Sequence, residues 1–206
     1  FIYASSVAAY GSSSEDAREN DGLRPSTLYG HAKDFCEKWT LARHADDFSC
    51  TVTRPASVCG YSPHQRFDLT VNKMVHDAMR YKRIKVNGGD QYRSHISMHD
   101  ICRAYKQLVN IPTAVIAGQT FNYVAENQMV KTTAEMVRSA TGCHVEYGPA
   151  TDDRSYLING DKVRRVLGFE TQKPIKEVIE YMATLFEGGY WRDATEARYM
   201  SMADVQ

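Results

Sequence analysis

The chain has no excess of charge of either sign: Lys and Arg together number 25, and so do Asp and Glu. No overall field draws it toward nucleic acid or an anionic membrane surface, so any phosphate contact must come from particular side chains. It has no apolar run as long as a membrane helix needs, and no charged-then-apolar leader with a cleavage site. The five cysteines, Cys36, Cys50, Cys59, Cys102 and Cys143, contain no C-x-x-C pair. An odd, scattered set argues against a disulfide framework and a zinc knuckle, and a reducing compartment fits it best. The expectation is a cytoplasmic protein that binds neither nucleic acid nor membrane.

What is present is a globular composition, 43% apolar over 206 residues, enough for one sizeable core or two modest ones. Phe1-Ile2-Tyr3-Ala4 reads as a buried parallel strand already under way, which predicts further chain upstream. Ser5-Ser6 and Tyr10-Gly11 follow, then a polar loop to Pro25. With Ser26 or Thr27 as N-cap, apolar and small residues recur at helical spacing through Leu28, Ala32, Phe35, Cys36, Trp39 and Ala42, predicting a helix over 27–44. Residues 49–58 alternate and are β-branched, predicting a strand. Strand, helix, strand in that order predicts a right-handed parallel crossover and an α/β fold.

Further on, the pattern predicts helices over 69–80, to 110 after a cap at His99-Asp100, and to 141 after a cap at Thr132 or Thr133 with Glu135 as partner. Two more helices are expected over 161–167 and 174–186. Short strands are expected over 84–86, 95–98 and 120–124, and the stretch from Gly188 to Gln206 lacks apolar periodicity. His95 and His99 stand four apart, but on an extended segment and without a third ligand at suitable spacing, so no metal site is expected.

A lone Tyr-x-x-x-Lys is a weak signal, since such pairs usually mark only an amphipathic helix face. Here Tyr29-Gly30-His31-Ala32-Lys33 follows a strand ending in Ser5-Ser6, a Tyr10-Gly11 doublet and Pro25-Ser26, and precedes a strand ending in Arg54-Pro55. The combination resembles the extended short-chain dehydrogenases, the nucleotide-sugar epimerase type of the NAD-dependent epimerase/dehydratase family, over residues 1 to about 186. The resemblance implies the C-terminal part of a Rossmann-like parallel sheet with a smaller α+β substrate lobe. Residues 1–60 would be the end of the dinucleotide-binding domain, 61–186 mainly the substrate lobe with returning Rossmann elements, and 187–206 a tail.

It also implies roles. A phenol titrates near pH 10, so Tyr29 would act as a base near neutrality only beside a cation, and Lys33, one helical turn on, carries that charge and can hold a ribose hydroxyl. The hydroxyl residue of the family lies five positions before the Gly of the Tyr-Gly doublet, which selects Ser6, with Ser5 the alternative. Either serine could instead satisfy a nearby backbone group. Pro55 to Val58 would flank the nicotinamide. Arg93, in an Arg-x-x-Ile-x-x-x-Asp segment that ends at Asp100, would hold the substrate diphosphate with its planar fork, while Asp100 caps a helix. Arg154 and Asn72 would be further diphosphate contacts, although Arg154 could equally form a surface ion pair.

Dehydratases of this type carry an Asp-Glu pair just after the hydroxyl residue; Val7-Ala8-Ala9 stands there instead, which argues against water elimination. The implied activity is NAD- or NADP-dependent epimerisation or reduction of a nucleoside-diphosphate sugar. A non-catalytic relative that only binds the sugar nucleotide is the alternative. In relatives the helix equivalent to 27–44 pairs in a homodimer, and Phe35 and Trp39 would serve there unless they face the sheet. No Gly-rich turn leads from a strand into a helix to cradle a dinucleotide pyrophosphate, since neither Gly88-Gly89 nor Gly188-Gly189 has that setting. Weak nicotinamide binding by this chain alone is the expectation.

Overall fold

The computed structural model describes residues 1–12, 15–150 and 154–191. Strands and helices alternate as an α/β fold. The first sheet is parallel, in the order β1 (Ile2–Ala4), β3 (Thr51–Pro55), β7 (Thr120–Tyr123). Ile2 stands opposite Thr51, and Val52 opposite Thr120, so the central strand is paired on both edges and four of its five residues are buried.

Helix α1 (Leu28–Leu41) connects the first two strands. Thr27 is its N-cap, accepting from the Gly30 amide at 3.0 Å, because a short hydroxyl side chain in extended backbone satisfies one of the four amides a helix start leaves open. The alternating run over 49–58 is two strands rather than one. After Pro55 the Ala56 amide still donates to the Tyr123 carbonyl at 2.8 Å, and then β4 (Ser57–Cys59) leaves for a second sheet. Alternation reveals the extended backbone but not the change of partner.

That second sheet is β4, β6 (Tyr92–Ser97), β8 (Glu126–Met129), parallel on one side and antiparallel on the other. Helix α2 (Thr70–Tyr81) follows β4, and α3 (Met98–Asn110) follows β6. The cap of α3 is Ser97, not His99 or Asp100. Ser97 Oγ accepts from the Asp100 amide at 2.9 Å and donates to its carboxylate at 2.8 Å, while that carboxylate also accepts from the Gln172 and Lys173 amides. These hydrogen bonds outweigh the effect of burial and hold the Asp100 carboxyl below the usual carboxylate range.

Besides β8, three further strands and one α-helix had no readable signal. Strand β9 (His144–Gly148) pairs in parallel with β5 (Arg83–Asn87), β2 (Asp16–Ala17) pairs with β10 (Leu157–Ile158), and a short α4 (Thr113–Ile116) precedes β7. Helix α5 (Val130–Thr141) begins earlier than its threonines suggest, with Met129 as cap, because the Thr133 hydroxyl is bonded to Gln128 Oε1 at 3.1 Å. Helices α6 (Asp161–Leu167) and α7 (Ile175–Glu187) lie where the periodicity puts them.

One core gathers Val71, Val75, Ile84, Ile179 and Met182 from α2, β5 and α7; another gathers Ile96, Leu108, Phe121, Tyr123 and Leu167 around α3, β7 and α6. Trp191 is buried in the first core against Phe67 and Phe186, so packed chain continues past the point where periodicity placed a tail. Residues 192–206 of that stretch lie outside the described residues.

Among the described residues the most buried ion pair joins β3 to α1. Arg54 and Glu37 are 5% and 2% exposed at their side chains, with Arg54 Nε 3.1 Å from both carboxylate oxygens and Nη2 also on Oε1. Arg54 Nη1 donates to the Tyr10 hydroxyl at 2.6 Å and to the Glu19 carbonyl at 3.1 Å. Removing one partner leaves a buried charge without its counter-ion, so Arg54→Met is expected to destabilise the fold by about 3–5 kcal/mol in urea unfolding. Arg54→Met with Glu37→Leu should recover much of that loss, and equal losses for the single and double variants would contradict this account.

Candidate active site

The chain reverses sharply after β1. Ser6 Oγ accepts from the Ala8 amide at 3.2 Å and caps a single 3-10 turn over Val7–Tyr10. Gly11 ends the turn at φ 74°, and a Cβ there would sit 1.9 Å from the Arg24 carbonyl oxygen, so the glycine of the Tyr-Gly doublet is required by close packing against residues 24–25. The helix start approaches the same turn. A Cβ on Gly30 would lie 2.7 Å from the Ala8 carbonyl, so the small residue after Tyr29 lets α1 close onto the segment that follows Ser6.

That approach brings Ser5, Ser6 and Tyr29 to the wall of one cavity of about 760 Å³. Tyr29 is 57% exposed at the helix N-terminus. The Lys33 ammonium stands 5.5 Å from the centroid of the Tyr29 ring, and its hydrogen bond runs to the Ala4 carbonyl at 2.8 Å, at the end of the strand that carries the serines. Lys33 is half-buried beside that ring and does not itself line the cavity. Ser5 Oγ is buried with no hydrogen-bond partner among the described residues, whereas Ser6 Oγ is engaged in its cap.

The rest of the lining comes from distant segments. Pro55, Ala56, Ser57 and Val58 line the cavity where the chain passes from the first sheet to the second, and Arg93 and Arg154 line it from β6 and from the segment before β10. Arg93 Nη1 donates to the carbonyls of Tyr92 and Arg154, its guanidinium lies 5.5 Å from the centroid of the Tyr156 ring, and Ser155 Oγ accepts from the Tyr92 amide at 3.0 Å. Sixty-one residues separate the two arginines, yet they share one rim. Tyr156 lines it as well, with no signal in the sequence beyond its neighbourhood to Arg154.

Asn72 also lines the cavity, but its amide is spent on the backbone. Oδ1 accepts from the Gly60 amide and Nδ2 donates to the Arg66 carbonyl, each at 2.9 Å, pinning the loop between β4 and α2. His95 is buried on β6, and burial together with the nearby Arg93 charge pushes its ring down to about 4, so it stays neutral. Among the described residues no group of three His, Cys, Asp or Glu side chains could hold a metal ion, and no helix is long and apolar enough to cross a membrane.

A strand-end serine, a helix-start tyrosine and a pair of arginines thus line one cavity, with a lysine one helical turn on from the tyrosine. The sequence model of the NAD dependent epimerase/dehydratase family matches residues 1–123, more than half of the chain. The chain belongs to that family. Over 198 residues it is 22% identical to an uncharacterized UDP-glucose epimerase, YtcB, of Bacillus subtilis, covering 91% of this chain and 62% of the relative. Its fold matches dTDP-glucose 4,6-dehydratase of Bacillus anthracis, solved with NAD, at a TM-score of 0.80 and 21% identity, covering 92% of this chain and 62% of the other. It matches UDP-glucose 4-epimerase of Thermotoga maritima, solved with UDP-glucose, at 0.80 and 22%, covering 92% and 64%. The chain thus spans under two thirds of the length of these epimerase/dehydratase relatives, and at such identities the structural likeness speaks for the Rossmann-like fold.

Asn72 offers a check on the geometry. Asn72→Ala leaves the buried Gly60 amide without an acceptor and should cost roughly 1–3 kcal/mol of stability, with faster hydrogen exchange at Gly60. Unchanged exchange there would show that the loop is held by other contacts.

Proposed function

We propose that this chain carries the reacting half of an NAD- or NADP-dependent site that epimerises or reduces a nucleoside-diphosphate sugar. The observation that carries the reading is convergence: Ser6, Tyr29, Pro55, Val58, Asn72, Arg93 and Arg154 all line one cavity, although they come from six separate stretches of chain. In this reading the Tyr29 phenol oxygen takes or returns the proton of a sugar hydroxyl, the Ser6 hydroxyl hydrogen-bonds the same oxygen, and the Lys33 charge favours the ionised phenol. Arg93 and Arg154 hold the diphosphate, and Asn72 acts by keeping the loop beside them in place.

The residues present fit the nicotinamide end of the cofactor. Pro55, Ala56 and Val58 line the same cavity as Tyr29, the unpartnered Ser5 hydroxyl borders it, and in this reading Lys33, whose ammonium donates to the Ala4 carbonyl at the strand end, uses a second N–H to hold a ribose hydroxyl. When bound, NAD or NADP supplies the hydride acceptor or donor. The absence of an acid-base pair at Val7-Ala8-Ala9 favours oxidation and reduction over loss of water.

Assembly follows from α1. Leu28, Phe35 and Trp39 are 90%, 68% and 51% exposed, so they turn away from the sheet and form an apolar stripe along one helix face. The reading assigns that stripe to a second copy of the protein in a homodimer. Light scattering at micromolar concentration should give a dimer mass, and Phe35→Glu with Trp39→Glu should give a monomer; a monomeric wild type would refute the assignment.

The decisive experiment measures turnover and binding of a panel of nucleotide sugars by the whole polypeptide that contains this chain. Tyr29→Phe should lower turnover by about 100-fold to 10,000-fold with sugar-nucleotide affinity little changed. Arg93→Ala should weaken binding by roughly 1.5–3 kcal/mol, with only part restored by Arg93→Lys. Wild-type turnover in Tyr29→Phe would overturn the assignment, and binding without turnover in the unaltered protein would identify a non-catalytic relative.

A further inference from the structure

We infer that Tyr3 is a positioning residue for Lys33, its ring face holding the ammonium at the end of β1 where the charge reaches the Tyr29 phenol. The inference rests on the reading of Tyr29 and Lys33 as the working pair. Lys33 Nζ lies 5.3 Å from the centroid of the Tyr3 ring and 5.5 Å from that of Tyr29, so the ammonium lies over two aromatic rings. Its hydrogen bond to the Ala4 carbonyl uses one of three N–H groups. A lysine on a flexible four-carbon stem needs a second restraint to stay in place.

Nothing else nearby supplies that restraint as an ion pair. On α1, Glu37 is committed to Arg54 and Asp34 to Lys38, and among the described residues no carboxylate pairs with Lys33. Tyr3 offers a neutral ring, since burial first and the Cys36 thiol second push its phenol up to about 12. An uncharged aromatic face attracts a cation through its quadrupole, more strongly where water is partly excluded. Strand alternation does the aiming. Ile2 packs against the core around α3 and β7, so Tyr3, next along the strand, points to the other face, toward α1.

The test replaces Tyr3 by Leu, by Phe and by a series of increasingly fluorinated phenylalanines, which weaken the ring quadrupole without changing its shape. Tyr3→Leu should lower kcat by roughly fivefold to thirtyfold, with KM for the nucleotide sugar within twofold of the parent at about that precision. Tyr3→Phe should behave as the parent, and kcat should fall with each added fluorine. NMR of this chain gives a readout without turnover: the Lys33 ε-methylene protons should be shifted upfield by the ring, less so in Tyr3→Leu and unchanged in Tyr3→Phe.

Tyr29→Phe and Lys33→Met are run alongside. If both keep wild-type turnover, the working pair itself is misassigned and the role of Tyr3 falls with it. If both are inactive while kcat is flat across the fluorinated series, the pair stands and the role of Tyr3 is overturned. Should Tyr3→Leu fail to fold, the shape-preserving fluorinated series still decides.

Discussion

The Arg54 guanidinium is the fixed point of this structure. It sits near the end of the central strand of the first sheet, and its fork reaches Glu37 in the middle of α1, Tyr10 at the end of the turn after β1, and the Glu19 carbonyl in the following loop. The Tyr10 hydroxyl passes the connection to Asn122 on β7, whose Nδ2 donates to the Ala17 and Asn159 carbonyls. A buried charge tolerates little displacement, since each lost hydrogen bond exposes its full desolvation penalty. The helix that carries Tyr29 and Lys33 is thus held in register with the strand end that carries Ser6 by a group that touches none of the three. Burial pushes the Tyr10 phenol up to about 12 despite the adjacent guanidinium, so the network keeps its protons through the neutral range.

Around that point the cavity is assembled from pieces with little in common. Part of the lining is a strand end and a helix start brought together by two glycines; the rest includes the passage between two sheets and a pair of arginines from β6 and the segment before β10. Each piece belongs to an element whose own packing is settled elsewhere. The site inherits its geometry from two separate cores.

This explains what was legible in the residues. Helix α1, its Thr27 cap and the Tyr29–Lys33 face were readable because capping and helical spacing are local. So was the proximity of Ser6 to a Tyr-Gly doublet. The meeting of Arg93 with Arg154, the β5–β9 and β2–β10 pairings, and the burial of Trp191 depend on partners far along the chain and leave no local periodicity. Thr133 shows how a local rule is overridden: it has the right chemistry for a cap, but Gln128 takes its hydroxyl and the helix starts earlier. Phe35 and Trp39 fit a helix buried against the sheet equally well by spacing, and only the structure shows them pointing outward.

The two-residue ribbon of β2 and β10 looks minor, yet it ties a segment that lines the cavity to the loop that follows the 3-10 turn. Leu157 and Ile158 pair with Asp16 and Ala17, and just beyond them the Ser155 amide donates to Ser12 Oγ at 2.9 Å. The segment bearing Arg154 and Tyr156 is thereby sewn to the loop that runs from the 3-10 turn to the helix start. In a graft between relatives, these stretches form one inheritable unit. A graft of residues 154–158 taken without Ser12, Asp16 and Ala17 would arrive with its stitching cut.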